Sequence, residues 1–190
     1  ETLDWIKFNT PEDSIVLSWW DYGYWISTVA DRITLTDNAT LSTVKIIQVA
    51  ELFLSTPDEA WDLLTAWNVD YVVVYVAAQK LEGDYAGKPV YLLDGGGDES
   101  KKPWFISISN VELSKYLQSD GTTGTGYFWN ETLLGQMIPY AIAGYYSEEY
   151  QKISNTYERG AIPISIVEIN YTDDGNYPLK LVHTSPSFTN

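Results

Sequence analysis

The sequence contains no cysteine and a single histidine, His183, among its 190 residues. Without thiols the chain can form neither a disulfide framework nor a zinc site with cysteine ligands, and one histidine cannot supply a histidine metal cluster. Basic residues are also scarce, with 11 Lys and Arg against 26 Asp and Glu and a formal charge of −15. So acidic a chain argues against nucleic acid or an anionic membrane surface as its main partner.

Long hydrophobic runs are missing as well. The longest apolar stretch, near Tyr71 to Ala78, is much shorter than the ~20 residues that a membrane-spanning helix needs. The N-terminal segment also lacks the basic, apolar and small-residue regions of a secretory signal. We therefore expect residues 1–190 to form one folded domain that is soluble as given. Because the chain starts at Glu1 without a Met, we also expect it to be part of a longer protein.

Helical and strand patterns alternate along the first part of the chain, which predicts a mixed α/β (α+β) fold: a single globular domain with a mixed sheet flanked by helices. Asp70–Val76 is apolar and β-branched along its length, as expected of a central strand covered on both faces. The other elements predicted here are helices Thr2–Phe8, Tyr24–Ala30, Thr43–Leu54 and Thr56–Trp67, the last with a capping box, and strands Ser14–Ser18 and Arg32–Thr36.

The second half of the chain has weaker signals. Residues 82–102 are rich in glycine and charge and predict a long surface loop. Asn110–Gln118 and Glu131–Gly144 predict helices, the latter kinked or ended by Pro139. Further elements expected near the end are strands Ile162–Ile169 and Leu179–His183, joined by a hairpin-type turn at Asp173–Asn176.

The usual catalytic signatures are weak in this sequence. His183 lies in a predicted terminal strand and has no Gly-x-Ser-x-Gly element to pair with, so we interpret it as structural or exposed. A glycosidase needs only two carboxylates across a cleft, and composition does not exclude that class. No pair of carboxylates is selected by its pattern.

Aromatic residues are abundant, with 8 Trp and 15 Tyr, and they concentrate in Trp19–Trp25, at a predicted strand-to-helix junction. In open α/β sheets, ligands bind at such junctions. A carboxylate between indole rings predicts a small polar pocket with apolar walls, which suits a hydroxyl group: Asp21 accepts its proton and an indole N–H donates to its oxygen. The alternative is that Trp19 and Trp20 are core residues and that Asp21 caps the next helix.

The run Trp19-Trp20-Asp21-Tyr22-Gly23 is identical to the signature pentapeptide of the oligosaccharyltransferase catalytic subunit. The flanking segments also resemble archaeal, single-subunit members of that family: Asn9-Thr10-Pro11-Glu12-Asp13, Tyr24-Trp25-Ile26, Ala30-Asp31-Arg32 and Asp37-Asn38-Ala39-Thr40. The chain as a whole resembles the family's soluble C-terminal domain. The resemblance implies that Trp19, Trp20 and Asp21, with Tyr22 and Gly23, bind the Ser or Thr hydroxyl of an Asn-X-Ser/Thr acceptor.

A second motif of the family lies further along the chain, as Asp-x-x-Lys-x-x-x-Met/Ile or as an apolar variant. The segment Asn130–Met137 is the match predicted here, with Asn130 at the first position, Leu133 at the second and Met137 at the last. Met137 fits the motif, whereas Asn130 and Leu133 depart from the charged version. Leu133 would contact the Thr methyl group of the acceptor and favour Thr over Ser by ~1 kcal/mol. A core face of an amphipathic helix is the alternative interpretation.

The resemblance also implies the parent protein's activity. Family members are multispanning cell-membrane proteins that transfer an oligosaccharide from a lipid-phosphate carrier to Asn, with Mn²⁺ or Mg²⁺ held in upstream membrane loops. We therefore expect no catalytic residue, metal or cofactor in this chain, no activity from it alone, and an extracytoplasmic location. An aromatic-rich carbohydrate-binding module and a glycosidase domain are the alternatives. Three acceptor triplets occur in the chain itself, beginning at Asn38, Asn130 and Asn170.

Overall fold

The structure is a computed structural model, and it describes residues 1–81, 90–93, 96–138, 164–169 and 179–184. Helices and strands alternate along this part of the chain. The helices are α1 (Thr2–Asn9), α2 (Gly23–Thr28), α3 (Thr43–Leu54), α4 (Pro57–Ala66), α5 (Lys102–Ser109), α6 (Leu113–Tyr116), α7 (Gly126–Glu131) and α8 (Leu133–Met137), with 3₁₀ turns at Trp20–Tyr22 and Asp98–Lys101.

The strands form a five-stranded mixed sheet and a separate two-stranded sheet. They are β1 (Ile15–Leu17), β2 (Ile33–Thr34), β3 (Tyr71–Tyr75), β4 (Ala78–Leu81), β5 (Val90–Leu93), β6 (Ile164–Ile169) and β7 (Leu179–Thr184). The larger sheet has the order β2-β1-β3-β6-β7, in which β1 is parallel to β2 and β3, whereas β6 is antiparallel to β3 and β7. The predicted mixed α/β fold is confirmed.

Strand β3 lies in the middle of the sheet and is covered on both faces, as its unbroken apolar sequence predicts. Val72 and Val74 belong to a large core with helices α3, α5, α7 and α8. Tyr71 and Val73 belong to a smaller core with helices α1 and α2. Alternate side chains of a strand point to opposite faces, so a strand without polar residues is stable only between two apolar layers.

The predicted capping box at the start of α4 is confirmed. The Thr56 hydroxyl accepts a hydrogen bond from Glu59 N at 3.3 Å, and the Glu59 carboxylate accepts one from Thr56 N at 2.9 Å. Pro57 occupies the first helical turn, where its missing N–H costs no hydrogen bond. These local contacts satisfy backbone donors that a helix start otherwise leaves unpaired.

The predicted surface loop at residues 82–102 is wrong for its described part. Strand β5 pairs with β4, and the 3₁₀ turn Asp98–Lys101 leads directly into α5. Asp98 has no exposed surface, and Glu99 and Lys102 are also buried. Glycines and charges in the sequence suggested solvent exposure, but these charges are paired with one another and with the rest of the fold.

The helix predicted at Asn110–Gln118 is wrong in register, because the longer helix is α5, which precedes it. Pro103 lies in the first turn of α5, and Asn110 ends the helix with a left-handed backbone at φ 51°. An Asn in that conformation is a common helix stop. Only the short α6 falls within the predicted range.

The helix predicted at Glu131–Gly144 is interrupted at Thr132. The Thr132 hydroxyl donates to Phe128 O at 2.6 Å in α7 and accepts from Gly135 N at 3.0 Å in α8. One side chain therefore closes the first helix and caps the second. Pro139, the end of this predicted helix and the turn at Asp173–Asn176 lie outside the described residues.

No helix in the described part of the chain combines the length and the apolar character needed to cross a lipid bilayer.

The close contact between α7 and α8 yields a testable prediction. A Cβ atom added at Gly135 would lie 2.0 Å from the Phe128 carbonyl oxygen, which is backbone and cannot move aside. Gly135→Ala should therefore lower the free energy of unfolding of the chain by ~2 kcal/mol or more, measured by urea denaturation.

Gly126→Ala is the matched control, since its added Cβ would meet nothing closer than Asn130 Nδ2 at 3.8 Å. Alanine usually stabilises a helix relative to glycine, so this variant should be neutral or slightly more stable. Equal effects of the two substitutions would contradict the close packing of α7 on α8.

Candidate functional site

The Trp19–Gly23 segment begins where β1 ends and forms a tight turn into α2. Residues 20–22 adopt a 3₁₀ turn, and α2 starts at Gly23. A Cβ atom at Gly23 would lie 2.3 Å from Thr36 O and 2.5 Å from the Asp37 Cα atom. Only glycine allows this turn to pack directly on the backbone that follows β2.

The two tryptophans of the segment have different environments. Trp19 is buried in the large core, and its ring lies edge-on to Phe105 with the centroids 4.6 Å apart. Trp20 is half-buried and lies tilted against Trp19 at 6.2 Å. Trp19 therefore anchors the turn in the core, while Trp20 keeps a solvent-accessible surface beside it.

Asp21 is not a helix cap. Neither the 3₁₀ turn nor α2 has a side-chain cap hydrogen bond, so the structure does not support the capping alternative. Instead, Asp21 Oδ2 accepts a hydrogen bond from Lys101 Nζ at 2.7 Å, in an ion pair. Its other oxygen, Oδ1, is buried and has no hydrogen-bond partner among the described residues. The carboxylate is thus held at one oxygen, while the other oxygen has no donor in the described part of the chain.

Lys101 uses all three of its N–H donors in this cluster. Besides Asp21, its ammonium group donates to the Tyr22 hydroxyl at 2.9 Å and to Asp98 Oδ1 at 2.9 Å. The Tyr22 hydroxyl in turn donates to Asp98 Oδ1 at 3.0 Å, and Tyr75 N donates to Asp98 Oδ2 at 2.8 Å. A buried carboxylate is stable only with several such partners. We call Asp21, Tyr22, Asp98 and Lys101 the ion cluster.

Burial and charge act in opposite directions on the ion cluster. Burial raises the pKa of Asp98, while the Lys101 ammonium and the hydrogen bonds from Lys101, Tyr75 and Tyr22 lower it, and the net direction is upward. The pKa of the Tyr22 phenol is raised far above its usual range, mainly by burial and then by the charges of Asp98 and Asp21. Tyr22 therefore keeps its proton and stays a donor to Asp98.

Asp98 and Lys101 are the site residues that the sequence analysis missed. The sequence does contain a signal for these two residues. Asp98-Glu99-Ser100-Lys101 matches the Asp-x-x-Lys pattern of the second motif. The last motif position falls on Phe105, in place of Met or Ile, and Phe105 is the residue that packs on Trp19. The pattern was overlooked because residues 82–102 were interpreted as surface loop.

The residues predicted as the second motif lie nearby in the fold. Leu133 has no exposed surface, and both Leu133 and Met137 belong to the same core as Trp19. Asn130 is exposed, and its carbonyl accepts a hydrogen bond from the Gln136 side chain at 2.8 Å. The structure thus brings Leu133 and Met137 into the layer behind Trp19 and leaves Asn130 on the surface.

His183 and the acidic residues were also considered as metal ligands. His183 stacks on Trp5 with ring centroids 4.6 Å apart, and burial lowers its pKa. This contact ties β7 to α1. In the part of the chain that the structure describes, no three His, Asp or Glu residues are grouped so that they could hold a metal ion.

Comparison with known proteins found matches to one kind of enzyme. Residues 2–79 match the family model described as the AglB core domain. Over 109 residues the chain is 39% identical to the dolichyl-diphosphooligosaccharide–protein glycosyltransferase subunit stt3 of Schizosaccharomyces pombe, an alignment covering 57% of this chain and 13% of that protein. Identity to the corresponding subunit of Dictyostelium discoideum is 29% over 194 residues, covering 100% of this chain and 24% of that protein.

A solved structure also resembles the chain. It is the C-terminal globular domain of an oligosaccharyltransferase from Archaeoglobus fulgidus, at 25% identity and a TM-score of 0.48, covering 72% of this chain and 77% of that one. The chain spans 13% and 24% of the length of the two curated relatives. The match to the AglB core domain and the similarity to glycosyltransferase subunits support one conclusion. The chain is related to the catalytic subunits of oligosaccharyltransferases.

Proposed function

We propose that this chain is the acceptor-recognition domain of an oligosaccharyltransferase and that Asp21 binds the Ser or Thr hydroxyl of an Asn-X-Ser/Thr acceptor. The observation that carries the proposal is the state of the Asp21 carboxylate. Lys101 holds its Oδ2 at 2.7 Å, while its Oδ1 is buried and has no partner among the described residues. A buried carboxylate oxygen without a partner is costly, and a hydroxyl donor relieves that cost.

The surroundings of Asp21 suit a hydroxyl better than a cation. Lys101 already supplies a positive charge to both Asp21 and Asp98, so the cluster of two carboxylates and one ammonium carries one net negative charge when all are ionised. Half-buried Trp20 provides apolar surface on the neighbouring side of the turn, and buried Trp19 lies against it. In such a site a neutral hydroxyl donates a charge-assisted hydrogen bond without bringing a charge that must be desolvated.

Asp98, Lys101 and Phe105 are proposed as the second motif in its charged form. Lys101 orients the Asp21 carboxylate, Asp98 neutralises Lys101 on the buried side, and Phe105 supports the Trp19 ring. The three residues come from one continuous segment, the 3₁₀ turn and the start of α5. That segment therefore acts as the inner wall of the pocket.

The apolar wall predicted at Leu133 and Met137 stays a prediction. Both residues share a core with Trp19, so either can influence the pocket through the position of that ring. Contact of Leu133 with the acceptor methyl would require Leu133 to gain exposed surface, since it has none here. Asn130 as the first position of the second motif stays a prediction, and it is the alternative to the proposed Asp98.

The activity of the whole protein is part of the same proposal. The enzyme would transfer an oligosaccharide from a lipid-phosphate carrier to Asn, with Mn²⁺ or Mg²⁺ held by a membrane portion outside this sequence. This domain would lie on the extracytoplasmic side of the membrane and be inactive alone. The archaeal, single-subunit form is proposed from the flanks of the signature run. The support for all of these points is the resemblance of the signature run and the similarity to glycosyltransferase subunits.

The Asp21 pocket is tested most simply by removing the carboxylate. In the full-length enzyme, Asp21→Ala should lower kcat/KM for an Asn-X-Thr peptide by about 10- to 100-fold, because one hydrogen bond to a charged group is lost. Asp62→Ala, an exposed residue of α4, is the control and should leave the rate unchanged. An Asp21→Ala enzyme with the kinetics of the wild type would show that Asp21 is not the hydroxyl acceptor.

The role of Lys101 is tested by separating stability from activity. Lys101→Met leaves the buried Asp98 without its cation and should cost ~3 kcal/mol of unfolding free energy. Adding Asp98→Asn removes the buried charge while keeping polar atoms for Tyr75 N and Tyr22, so urea denaturation should show most of the stability restored.

The peptide assay should not follow this recovery. Asp21 still lacks its ammonium partner in the double variant, so kcat/KM for the acceptor should stay low. If activity returned together with stability, Lys101 would be a structural residue only, and its proposed orientation of Asp21 would be incorrect.

A further inference from the structure

Asn38 makes an unusual pair of contacts with the Trp19–Gly23 segment. Its Nδ2 donates a hydrogen bond to the backbone carbonyl of Asp21 at 3.1 Å. Its Oδ1 accepts one from the backbone N–H of Tyr24 at 3.2 Å. One primary amide thus bridges both ends of the turn that carries the Asp21 side chain.

Tyr24 N, one of the two backbone groups that Asn38 binds, needs a partner from outside α2. Tyr24 N lies in the first turn of α2, where helix geometry leaves N–H groups without intrahelical acceptors. The α2 start has no cap from its own neighbouring side chains. An amide donates through its nitrogen and accepts through its oxygen, so one neutral side chain can reach both groups with separate atoms.

The segment that contains Asn38 has several contacts of its own with the rest of the fold. Gly23 packs directly against the Thr36 and Asp37 backbone. The Thr36 hydroxyl donates to Ser18 O at 3.3 Å, and Asp37 Oδ1 accepts from Ala39 N at 2.9 Å. The segment from Thr36 to Ala39 therefore has one hydrogen bond to the residue after β1 and one within itself. These contacts restrain the backbone from which the Asn38 amide extends.

Asp21 is consequently held from two directions. Lys101 fixes its carboxylate through Oδ2, and Asn38 fixes its backbone through the carbonyl. Together the two contacts determine where the partnerless Oδ1 lies. Without Asn38, the turn would keep its core anchor at Trp19 but lose the restraint between Asp21 and Tyr24.

Asn38 also begins one of the acceptor triplets, Asn38-Ala39-Thr40. The nitrogen that would carry a glycan is the Nδ2 atom that donates to Asp21 O. A glycan on Nδ2 would leave this amide one N–H donor in place of two.

We propose that Asn38 is a positioning residue of the hydroxyl pocket, whose unmodified amide holds the Asp21–Tyr24 turn so that Asp21 Oδ1 meets the acceptor hydroxyl. This proposal rests on the proposed function of Asp21. It concerns a residue outside both motifs.

The experiment compares four forms of the full-length enzyme with Asn-X-Thr peptide: wild type, Asn38→Ala, Thr40→Gly and Asp21→Ala. Thr40→Gly destroys the acceptor triplet but keeps the Asn38 amide, and glycine readily adopts the positive φ of 50° at this position. For each form, kcat and KM for the peptide and KM for the lipid-linked donor are measured, and mass spectrometry reports whether residue 38 carries a glycan.

Asn38→Ala should raise KM for the peptide about tenfold, since a displaced carboxylate weakens hydroxyl binding, while KM for the donor stays at its wild-type value. Thr40→Gly should match the wild type, and residue 38 should be unglycosylated. A purely structural role would instead reduce the active fraction and lower kcat with KM unchanged, which would overturn the proposal.

The remaining outcomes separate the two proposals. An Asp21→Ala enzyme that loses activity beside an unchanged Asn38→Ala enzyme would refute the role of Asn38 and leave that of Asp21 intact. Thr40→Gly with the same defect as Asn38→Ala, or a glycan on Asn38, would show that the triplet acts through modification and would overturn the positioning role. An unchanged Asp21→Ala enzyme would refute the proposed function itself.

Discussion

The ammonium group of Lys101 lies between two carboxylates, and the rest of the site depends on this placement. Asp98 is fully buried, which is unfavourable for a carboxylate unless a cation and hydrogen-bond donors surround it. Lys101 provides the cation, and Tyr22 and Tyr75 provide the donors. The same ammonium fixes one oxygen of Asp21. A single residue therefore both permits the burial of Asp98 and orients the Asp21 carboxylate, which is proposed to bind the acceptor hydroxyl.

Three further contacts hold the turn that carries Asp21. Trp19 is held by Phe105 in the large core, and Gly23 allows the turn to lie against the backbone after β2. Asn38 bridges the turn on the exposed side. Because the supports come from separate segments of the chain, Asp21 is positioned by tertiary structure and not by local propensity. Under the proposed function, a turn held at several points would reduce the ordering cost of binding a peptide.

The parts of the fold that were predicted correctly are those with local signals. Helix α3 has the predicted bounds, Thr43–Leu54, because its apolar face repeats at helical spacing. The capping box at Thr56 and Glu59 was readable because its partners are three residues apart. Strand β3 was predicted as central because its residues leave no polar face.

The parts that were missed depend on contacts between distant segments. Asp98 and Lys101 look like surface residues in the sequence, and only their pairing with Asp21, Tyr22 and Tyr75 explains their burial. The break at Thr132 depends in the same way on one hydroxyl that serves two helices. The signature run is recognisable in the sequence. The sequence does not show, however, that Asp21 Oδ1 has no hydrogen-bond partner among the described residues.

A structure of the full-length enzyme with a bound Asn-X-Thr peptide tests the central claim most directly. The account predicts that the threonine hydroxyl lies about 2.7 Å from Asp21 Oδ1, with Lys101 still bound to Oδ2. A peptide bound with its hydroxyl beyond hydrogen-bond distance of Asp21, or with Asp21 Oδ1 facing a different group, would contradict it.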